Sequence, residues 1–359
     1  MNSLLLHRQL MHQFTRLELN LSKPQQTNLA LLSQALAVSP NCHLATLALA
    51  LPLPGNRENL IQRLRRMLSQ RPDWRDWYGP VVKHVFAHWT GAEVALVMDR
   101  TDLTNRWSVL TVGAAHGKRL LPLCWAVQPF GGTSAETQLS LLRQVQPYLP
   151  PTDRVRITFY GDSEFRAVPV QAYCREQHWH WYVGLKSDLR FQDEMGRQQA
   201  LRDWPLERGQ LAYRQQVTLT EKHAFGPVNL LAHWSANEET PRYWALDQPA
   251  DRQAWRRGRK RYWIEPSFRD WKSYGFDLER SQVDTAERLT VLVLGMALTS
   301  LWLIHLGQWL TTAGHRPLLE ACHKRDYSLF RLGRDYVQRC QTLGWNFPVG
   351  FTVTHPPPA

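Results

Sequence analysis

The sequence is short of acidic side chains and of cysteine, and both shortages narrow its function. It has 31 Asp and Glu against 43 Lys and Arg, a net charge of +12 over 359 residues. A positive surplus of this size favours a polyanionic partner, and nucleic acid is the first candidate. The five cysteines are odd in number and form no C-x-x-C or close Cys/His pattern. Neither a disulfide framework nor a zinc site is indicated, and a reducing cytoplasm fits.

Membrane signals are also scarce. The N-terminus lacks a basic region followed by a long apolar run, so no signal peptide is expected. One apolar run, 289–306, approaches the length that spans a bilayer, but polar residues such as Ser300 and His305 interrupt it. We therefore expect a buried core helix over 284–306, a cytoplasmic protein and no membrane partner.

The first part of the chain shows short helical patterns separated by proline, glycine and asparagine. We expect a helical DNA-binding domain over 1–90. Its clearest amphipathic stretch is 56–69, with Arg63 and Arg66 off the apolar face. With a preceding helix over 41–51 and a tight turn, it resembles a helix-turn-helix whose second helix enters a DNA groove. A merely solvated arginine-rich face is the competing interpretation, and both stay open.

The pattern then changes to strands, and the element order predicts an α/β fold. The order βββαβαβ, followed by helix, is the ribonuclease-H-like arrangement, in which the first and fourth strands are neighbours. Both strands end in an acid, Asp99 and Asp162, so these two carboxylates are expected to meet. The predicted elements are strands over 93–99, 107–114 and 119–127, a helix over 134–146, a strand over 155–162, a helix over 166–177 and a strand over 178–186.

A polar, alternating segment interrupts this order. We expect a β-rich insertion over 187–249, which divides the core into a first part over 91–186 and a second part over 250–310. A helical segment with a proline-rich tail follows over 311–359. The second part of the core opens with a strongly basic run that leads to Glu265.

This later stretch places an acid, Glu265, among cations. Arg261 stands four residues before Glu265, and Arg269 and Lys272 follow it, a spacing that would align these side chains on one helix face. A carboxylate ringed by cations suits a metal ligand that works on a phosphate backbone. A salt-bridged helix packed on the core is the alternative. Pro266 cannot donate a backbone hydrogen bond, so a helix should start or kink at Glu265.

Two strand-end aspartates and a helix-borne glutamate are the donor set that hard divalent cations take. Asp99, Asp162 and Glu265 are therefore predicted to hold two Mg²⁺ ions, with Mn²⁺ as a substitute. Such a pair activates a water or a 3′-hydroxyl and stabilises the leaving oxygen during in-line attack on a phosphodiester. An acid that closes a strand is usually only a loop or cap residue, so the prediction depends on the three together.

Three short motifs surround these acids. They read Val97-Met-Asp99-Arg-Thr-Asp-Leu, Tyr160-Gly-Asp162-Ser-Glu-Phe165 and Arg261-x-x-x-Glu265-x-x-x-x-x-x-Lys272. The third resembles the Y-R-E-K signature of bacterial insertion-sequence DDE transposases, in the insertion-sequence-four family, and the first two resemble that family's aspartate motifs. The family also carries a β-strand insertion before the glutamate. The likeness covers most of the chain, most firmly 94–186 and 250–305.

The chain departs from the signature at one position. Gly258 stands where the signature tyrosine is expected, three residues before Arg261, and Tyr262 is out of register. The phosphate contact that the resemblance would assign to that tyrosine is therefore not expected at residue 258.

The resemblance implies a cut-and-paste transposase. Such an enzyme binds the terminal inverted repeats of its insertion sequence, cuts the ends and joins the freed 3′-hydroxyls to target DNA. Asp99, Asp162 and Glu265 would be the metal ligands, with Arg261 and Lys272 holding DNA beside them. Double-stranded DNA is the expected partner, and a homodimer is expected because two ends must be paired.

Further DNA contacts and two other functions stay open. In some relatives a tryptophan of the insertion stacks on a flipped base, and Trp234 or Trp244 is the candidate here, although most such tryptophans are core. Arg269 is a further candidate for contact with DNA. The alternatives are a transposase-derived DNA-binding protein without catalysis and a ribonuclease-H-like nuclease that cuts without strand transfer.

Overall fold

The computed structural model describes residues 3–103, 105–220 and 224–354, and it begins with helices. These are α1 (Ser3–Arg16), α2 (Lys23–Val38), α3 (Leu44–Leu49), α4 (Arg57–Leu68), α5 (Trp74–Trp77) and α6 (Gly79–Ala87). The helix α4 buries Ile61, Leu64 and Met67 on the face that their spacing predicts. Its N-terminus is capped by Asn56, whose side chain accepts from the N–H of Asn59. The helical character of the first part of the chain is confirmed.

A mixed sheet forms the middle of the chain. Its first strands and helices are β1 (Glu93–Leu103), β2 (Trp107–His116), β3 (Arg119–Pro129), α7 (Ala135–Val145), β4 (Arg156–Gly161), α8 (Val168–Glu176) and β5 (His180–Leu185). The strands β1, β2 and β3 pair antiparallel, whereas β1, β4 and β5 run parallel side by side. The spatial order is β3-β2-β1-β4-β5. The predicted sequence of elements, and the contact between the first and fourth strands, are confirmed.

The insertion extends this sheet. It contributes β6 (Arg190–Gln192), β7 (Gln198–Ala200), β8 (Leu211–Leu219), β9 (Phe225–His233) and β10 (Arg242–Leu246). The strand β10 pairs antiparallel with β5, and the order continues β10-β9-β8-β6-β7. Its predicted β-rich character is confirmed. The sequence does not predict the pairing of β10 with β5. The backbone groups at a sheet edge can pair with a further strand whatever its side chains, so no side-chain pattern marks this contact.

Short helical pieces then cross the sheet. They are α9 (Arg252–Gly258), a 3₁₀ turn (Arg259–Trp263), α10 (Ile264–Arg269) and a π-helical turn (Asp270–Tyr274), followed by α11 (Ala286–Thr312) and α12 (Leu329–Leu343). The start of α10 lies one residue from the start predicted at Glu265. Pro266 therefore falls in the first turn, where its missing N–H breaks no helical bond.

The long helix α11 is the core helix that the apolar run predicts. Its most apolar window is 89% buried inside the protein, although its length and composition alone would suit a membrane span. It packs against α2, α4, β3 and α12. A helix that is apolar all round and enclosed by protein is the centre of a large core.

The sheet separates two apolar clusters, and β1 shows how. Leu96 and Met98 lie in the large cluster with α11, whereas Val97 lies in a smaller cluster on the other face. This alternation follows from the two-residue period of a strand. Ile264 and Phe268 of α10 close the smaller cluster. The N-terminal helices belong to the large cluster, and the domain boundaries predicted from sequence stay predictions.

Candidate active site

Two aspartates lie at matching positions, Asp99 on β1 and Asp162 directly after the parallel strand β4. Val97 pairs with Tyr160 across these strands, and both residues belong to the cluster under α10. Asp99 and Asp162 each lie two residues further along the chain, so their side chains return to the same face. Strand register therefore brings together two acids that are far apart in the sequence, as predicted.

The backbone fixes one oxygen of each aspartate. Asp99 Oδ1 accepts from the N–H of Arg100 at 2.8 Å, and Asp162 Oδ1 accepts from the N–H of Glu164 at 2.7 Å. The two remaining oxygens face Arg261, whose Nη2 lies 3.8 Å from Asp99 Oδ2 and 3.4 Å from Asp162 Oδ2. The free oxygens of both aspartates thus converge on one nitrogen.

Glu265 completes the cluster from α10. Its Oε1 lies 3.6 Å from Nη1 of Arg261, which belongs to the preceding 3₁₀ turn. The Arg261 side chain is only 14% exposed, and its buried Nε has no hydrogen-bond partner in the part of the chain that the structure describes. Three carboxylates from three elements surround one guanidinium, and the Nε–H of that guanidinium remains without an acceptor among the described residues.

Charge is unbalanced at this cluster, since three acids face one arginine. Burial raises the pKa of Asp99 to about 7. Arg261 and the N–H of Arg100 oppose the rise, while the negative charges of Asp162 and Glu265 add to it. A carboxyl pKa raised by burial and by like charges is typical of a functional site.

The chemistry of the donors in this cluster suits a divalent cation, whereas their spacing in this structure does not. Carboxylate oxygens are the ligands that Mg²⁺ and Mn²⁺ prefer, and Asp99, Asp162 and Glu265 already attract a single positive group. Over residues 3–103, 105–220 and 224–354, no three acidic, histidine or cysteine side chains stand close enough to share one ion. In this cluster the guanidinium of Arg261 stands between the carboxylates.

The space beside Gly258, where the signature tyrosine is missing, is filled from β5. A Cβ on Gly258 would lie 2.4 Å from Cζ of Tyr182 and 2.6 Å from its hydroxyl oxygen. The ring of Tyr182 therefore occupies the volume that a side chain at 258 would need. The ring centre of Tyr262 lies 4.8 Å from the Arg261 guanidinium, and its hydroxyl accepts from Arg242 at 3.0 Å.

Of the two candidate tryptophans, Trp244 lies at the acid cluster. It lines a cleft of about 290 Å³ together with Asp162. Its ring packs 6.0 Å from that of Tyr182. Trp234 lies outside the lining of that cleft, and its indole N–H donates to the carbonyl of Glu238 at 3.0 Å. Trp244 is itself only 8% exposed and belongs to the smaller apolar cluster, so it lies beside the acids as a core residue.

The predicted DNA-contacting cations divide into exposed and paired side chains. Arg66 and Arg269 are exposed. Lys272 forms an ion pair of 2.7 Å with Glu279, and Arg63 donates through Nε to a side chain of α2 at 2.9 Å. Arg63 and Lys272 are thus already engaged within the protein.

Sequence reasoning misses a second ion pair close to the acids. Arg100 Nε lies 3.3 Å from the carboxylate of Glu164. Each partner belongs to one of the two aspartate motifs, beside Asp99 and Asp162. The signal in the sequence that could have predicted this ion pair is a charged residue of opposite sign in each motif, Arg100 after Asp99 and Glu164 after Asp162.

The fold and the site together define an α/β protein with a three-carboxylate centre at the ends of two parallel strands. A family model described as the transposase DDE domain matches residues 114–302, a range that contains Asp162 and Glu265 and begins after Asp99. Because the match spans more than half of the chain, the chain belongs to this family and is a transposase of the DDE class.

Other comparisons give a more distant likeness. No curated protein matches the chain. Among solved structures, it is similar to the piggyBac transposase in a synaptic complex with hairpin DNA, determined by cryo-EM. The identity is 10% and the TM-score 0.42, and the alignment covers 92% of this chain and 82% of the other.

Proposed function

We propose that this chain moves a bacterial insertion sequence of the insertion-sequence-four type by cut-and-paste transposition. The observation that carries the proposal is the convergence of Asp99, Asp162 and Glu265 on a single guanidinium. The strand order β3-β2-β1-β4-β5 supports a ribonuclease-H-like core under these residues. Membership of the DDE transposase family supports the reaction class.

The chemistry follows from the donor set. Asp99, Asp162 and Glu265 would hold two Mg²⁺ ions, or Mn²⁺ in their place. Bound divalent ions supply a nucleophile at neutral pH and charge stabilisation at the leaving oxygen of the phosphodiester. The protein orients the ligands, since the N–H groups of Arg100 and Glu164 hold one oxygen of each aspartate, and the other oxygen faces Arg261.

The DNA path is proposed from charge and from unsatisfied donors. A net charge of +12 suits a duplex backbone. The buried Nε of Arg261 lacks a partner within the described residues and would donate to a phosphate oxygen beside the acids. Exposed Arg269 would extend this contact, with Lys272 joining only if its pair with Glu279 opens. Of the two tryptophans, Trp244 at the cleft is retained for stacking on a displaced base, which would require its buried ring to become exposed.

Repeat recognition is proposed for the helical region 1–90, through the exposed arginines of α4. The divisions 91–186, 187–249, 250–310 and 311–359 are proposed as two parts of the core, the insertion and the C-terminal segment. Because two ends must be cut together, the acting species is proposed to be a homodimer, in the cytoplasm of a bacterial cell.

Labelled DNA that carries the terminal inverted repeats, incubated with the protein, Mg²⁺ and a target plasmid, tests this function. Cleavage at the ends followed by joining to the plasmid is expected. Asp99→Asn, Asp162→Asn and Glu265→Gln should bind the repeats within a few-fold of wild type and fail to cut. Parallel loss of binding and cleavage would contradict the assignment.

The same assay separates the alternatives. Binding without cleavage by the wild-type chain would indicate a DNA-binding protein that descends from a transposase. Cleavage without joining would indicate a nuclease.

A further inference from the structure

Glu164 belongs to the same motif as Asp162, yet its contacts are of a different kind. Its Oε1 accepts from the N–H of Thr133 at 2.7 Å, and its Oε2 accepts from Arg100 Nε at 3.3 Å. Its own N–H holds Asp162, and its carbonyl accepts from the side chain of Gln138 at 3.4 Å. Glu164 thereby joins the segment after β4 to β1 and to the loop that leads into α7.

Arg100, on β1, is the partner of Glu164 in this ion pair. Its Nη1 contacts Asp102 and lies 3.3 Å from the hydroxyl of Ser108 on β2, while its N–H holds Asp99. The side chains of Arg100 and Glu164 are 19% and 24% exposed, so their ion pair is less screened than one on the open surface. Each partner holds an aspartate oxygen through its backbone and the other partner through its side chain.

This arrangement matters because backbone pairing ends before the aspartates. The register between β1 and β4 runs to the pair Val97 and Tyr160 and no further. Asp99 and Asp162 lie two residues beyond, where no hydrogen bond of this strand pair fixes their separation. Across this strand pair, the side-chain ties beyond that point are the Arg100–Glu164 ion pair and the contacts of Arg261 with both aspartates.

We propose that the ion pair of Arg100 and Glu164 is the positioning contact that sets the spacing of the Asp99 and Asp162 oxygens for shared binding of a divalent cation. This inference rests on the proposed function, since it takes the two aspartates as metal ligands. Neither partner touches the metal. They act through the N–H groups that orient the carboxylates, which is how supporting residues tune the ligands of a metal site.

Binding of Mn²⁺ to the full-length protein without DNA, followed by the electron paramagnetic resonance signal of the free ion, tests the inference. Glu164→Gln keeps the size of the side chain and an acceptor for Thr133 but loses the charge that faces Arg100. Its Mn²⁺ affinity should fall by about 10-fold or more, as for other residues that support metal ligands. Arg100→Lys keeps the charge but loses the second donor, and its affinity should fall less.

Glu320→Gln is a matched control. Glu320 also pairs with an arginine, Arg316 at 2.7 Å, and also accepts a backbone N–H, that of Tyr327 at 2.8 Å. It lies between α11 and α12, outside the acid cluster. Its Mn²⁺ affinity should equal that of wild type, even if the loss of a buried pair lowers its unfolding free energy as much as Glu164→Gln does.

Asp99→Asn distinguishes failure of this inference from failure of the proposed function. If Asp99→Asn loses Mn²⁺ binding while Glu164→Gln and Arg100→Lys bind as wild type does, the ion pair has no positioning role and the metal site stands. If Asp99→Asn binds Mn²⁺ as tightly as wild type, both the positioning inference and the proposed metal site are contradicted. Should Glu164→Gln fail to fold, Arg100→Lys decides: weaker binding supports the inference, and unchanged binding overturns it.

Discussion

One strand, β1, carries two partly buried acids in opposite electrostatic situations. Glu93, at its start, faces Lys260 at 2.7 Å and Arg156 at 3.5 Å. Burial by itself raises the pKa of Glu93, but the hydrogen bonds and charges of these two cations outweigh it, and the pKa is lowered. Asp99 shares one arginine with two other acids, and burial with those charges raises its pKa to about 7.

Two of the cations that meet these acids come from one short segment. Lys260 and Arg261 are neighbours in the 3₁₀ turn that crosses the sheet, and they reach Glu93 and Asp99 respectively. At Glu93 the cations outnumber the acid, which is the composition of a structural ion pair. At Asp99 the acids outnumber the cation, which leaves negative charge for a ligand to neutralise. The local balance of charge therefore separates the structural role of Glu93 from the ligand role that we propose for Asp99.

Asp99→Asn should produce the largest effect, and only on catalysis. An amide lacks the anionic oxygen, so cleavage of terminal-repeat DNA should fall by more than about 100-fold, beyond the loss that follows when a merely supporting residue is changed. Because one of three crowded carboxylates becomes neutral, the unfolding free energy should stay the same or rise. Gel analysis of cut ends and urea unfolding measure the two quantities. A large loss of unfolding free energy in Asp99→Asn would show that Asp99, like Glu93, has a structural role, and would contradict the account.

Gly258→Ala should disturb both ends of β1. The backbone at Gly258 has helical angles, φ −56° and ψ −22°, so alanine is acceptable there except for its contact with Tyr182. Overpacking of this kind typically costs about 1–3 kcal/mol of unfolding free energy. It should also reduce cleavage, because the turn that carries Lys260 and Arg261 must shift.

A double-mutant cycle isolates this contact. The effect of Gly258→Ala should disappear when Tyr182 is already alanine. An equal loss in both backgrounds would show that the Tyr182 ring is not the cause.

Glu93→Gln should weaken the fold and spare the chemistry. Loss of the carboxylate leaves Lys260 partly buried without its ion-pair partner, at a cost of about 1–2 kcal/mol. Cleavage should stay within a few-fold of wild type. Folding lowers the pKa of Glu93 below its ordinary 4.5, so the stabilising contribution is present above that pH and is lost as the pH falls through the folded value.

The stability difference between wild type and Glu93→Gln should accordingly be constant from neutral pH down to about pH 5 and shrink under more acidic conditions. Urea unfolding across this range measures it. A difference that grows toward acidic pH would reverse the sign of the argument.

Two arginines of α4 differ in the same way, one being available to a ligand and the other engaged within the protein. Their substitution should have the smallest effect of those predicted, and it should act on DNA binding. Arg66 is exposed, whereas Arg63 donates to Asn28 of α2. Arg66→Ala should weaken repeat binding a few-fold and reduce the slope of log K against log salt by about 0.9, the value for one lost phosphate contact. Arg63→Ala should mainly lower stability. An unchanged salt slope in the double variant would place recognition elsewhere in the chain.

Much of the fold is predictable because its elements have strong local patterns. The strand β1, the helix α7 and the apolar helix α11 all follow from periodicity and capping signals. Their order then makes β1 and β4 neighbours, and the acids at Asp99 and Asp162 follow from strand register.

The side-chain partners are less predictable, because they depend on how irregular segments turn. The spacing of Arg261, Glu265 and Lys272 suggests a single helix face, but the chain is α-helical only over 264–269 between a 3₁₀ turn and a π turn. Lys272 therefore leaves that face and pairs with Glu279. The packing of Tyr182 against Gly258 likewise brings together two residues that lie far apart in the sequence, and no periodic pattern predicts their contact.

The central claim is that Asp99, Asp162 and Glu265 bind one set of metal ions. Fe²⁺ with a reductant and peroxide tests it most directly, because hydroxyl radicals formed at the bound ion cut the polypeptide near its ligands. Three cuts are predicted, near residues 99, 162 and 265, all suppressed by Mg²⁺ and all absent in Asp99→Asn. Cuts at other positions, or cuts near one acid that persist in Asp99→Asn, would contradict the claim.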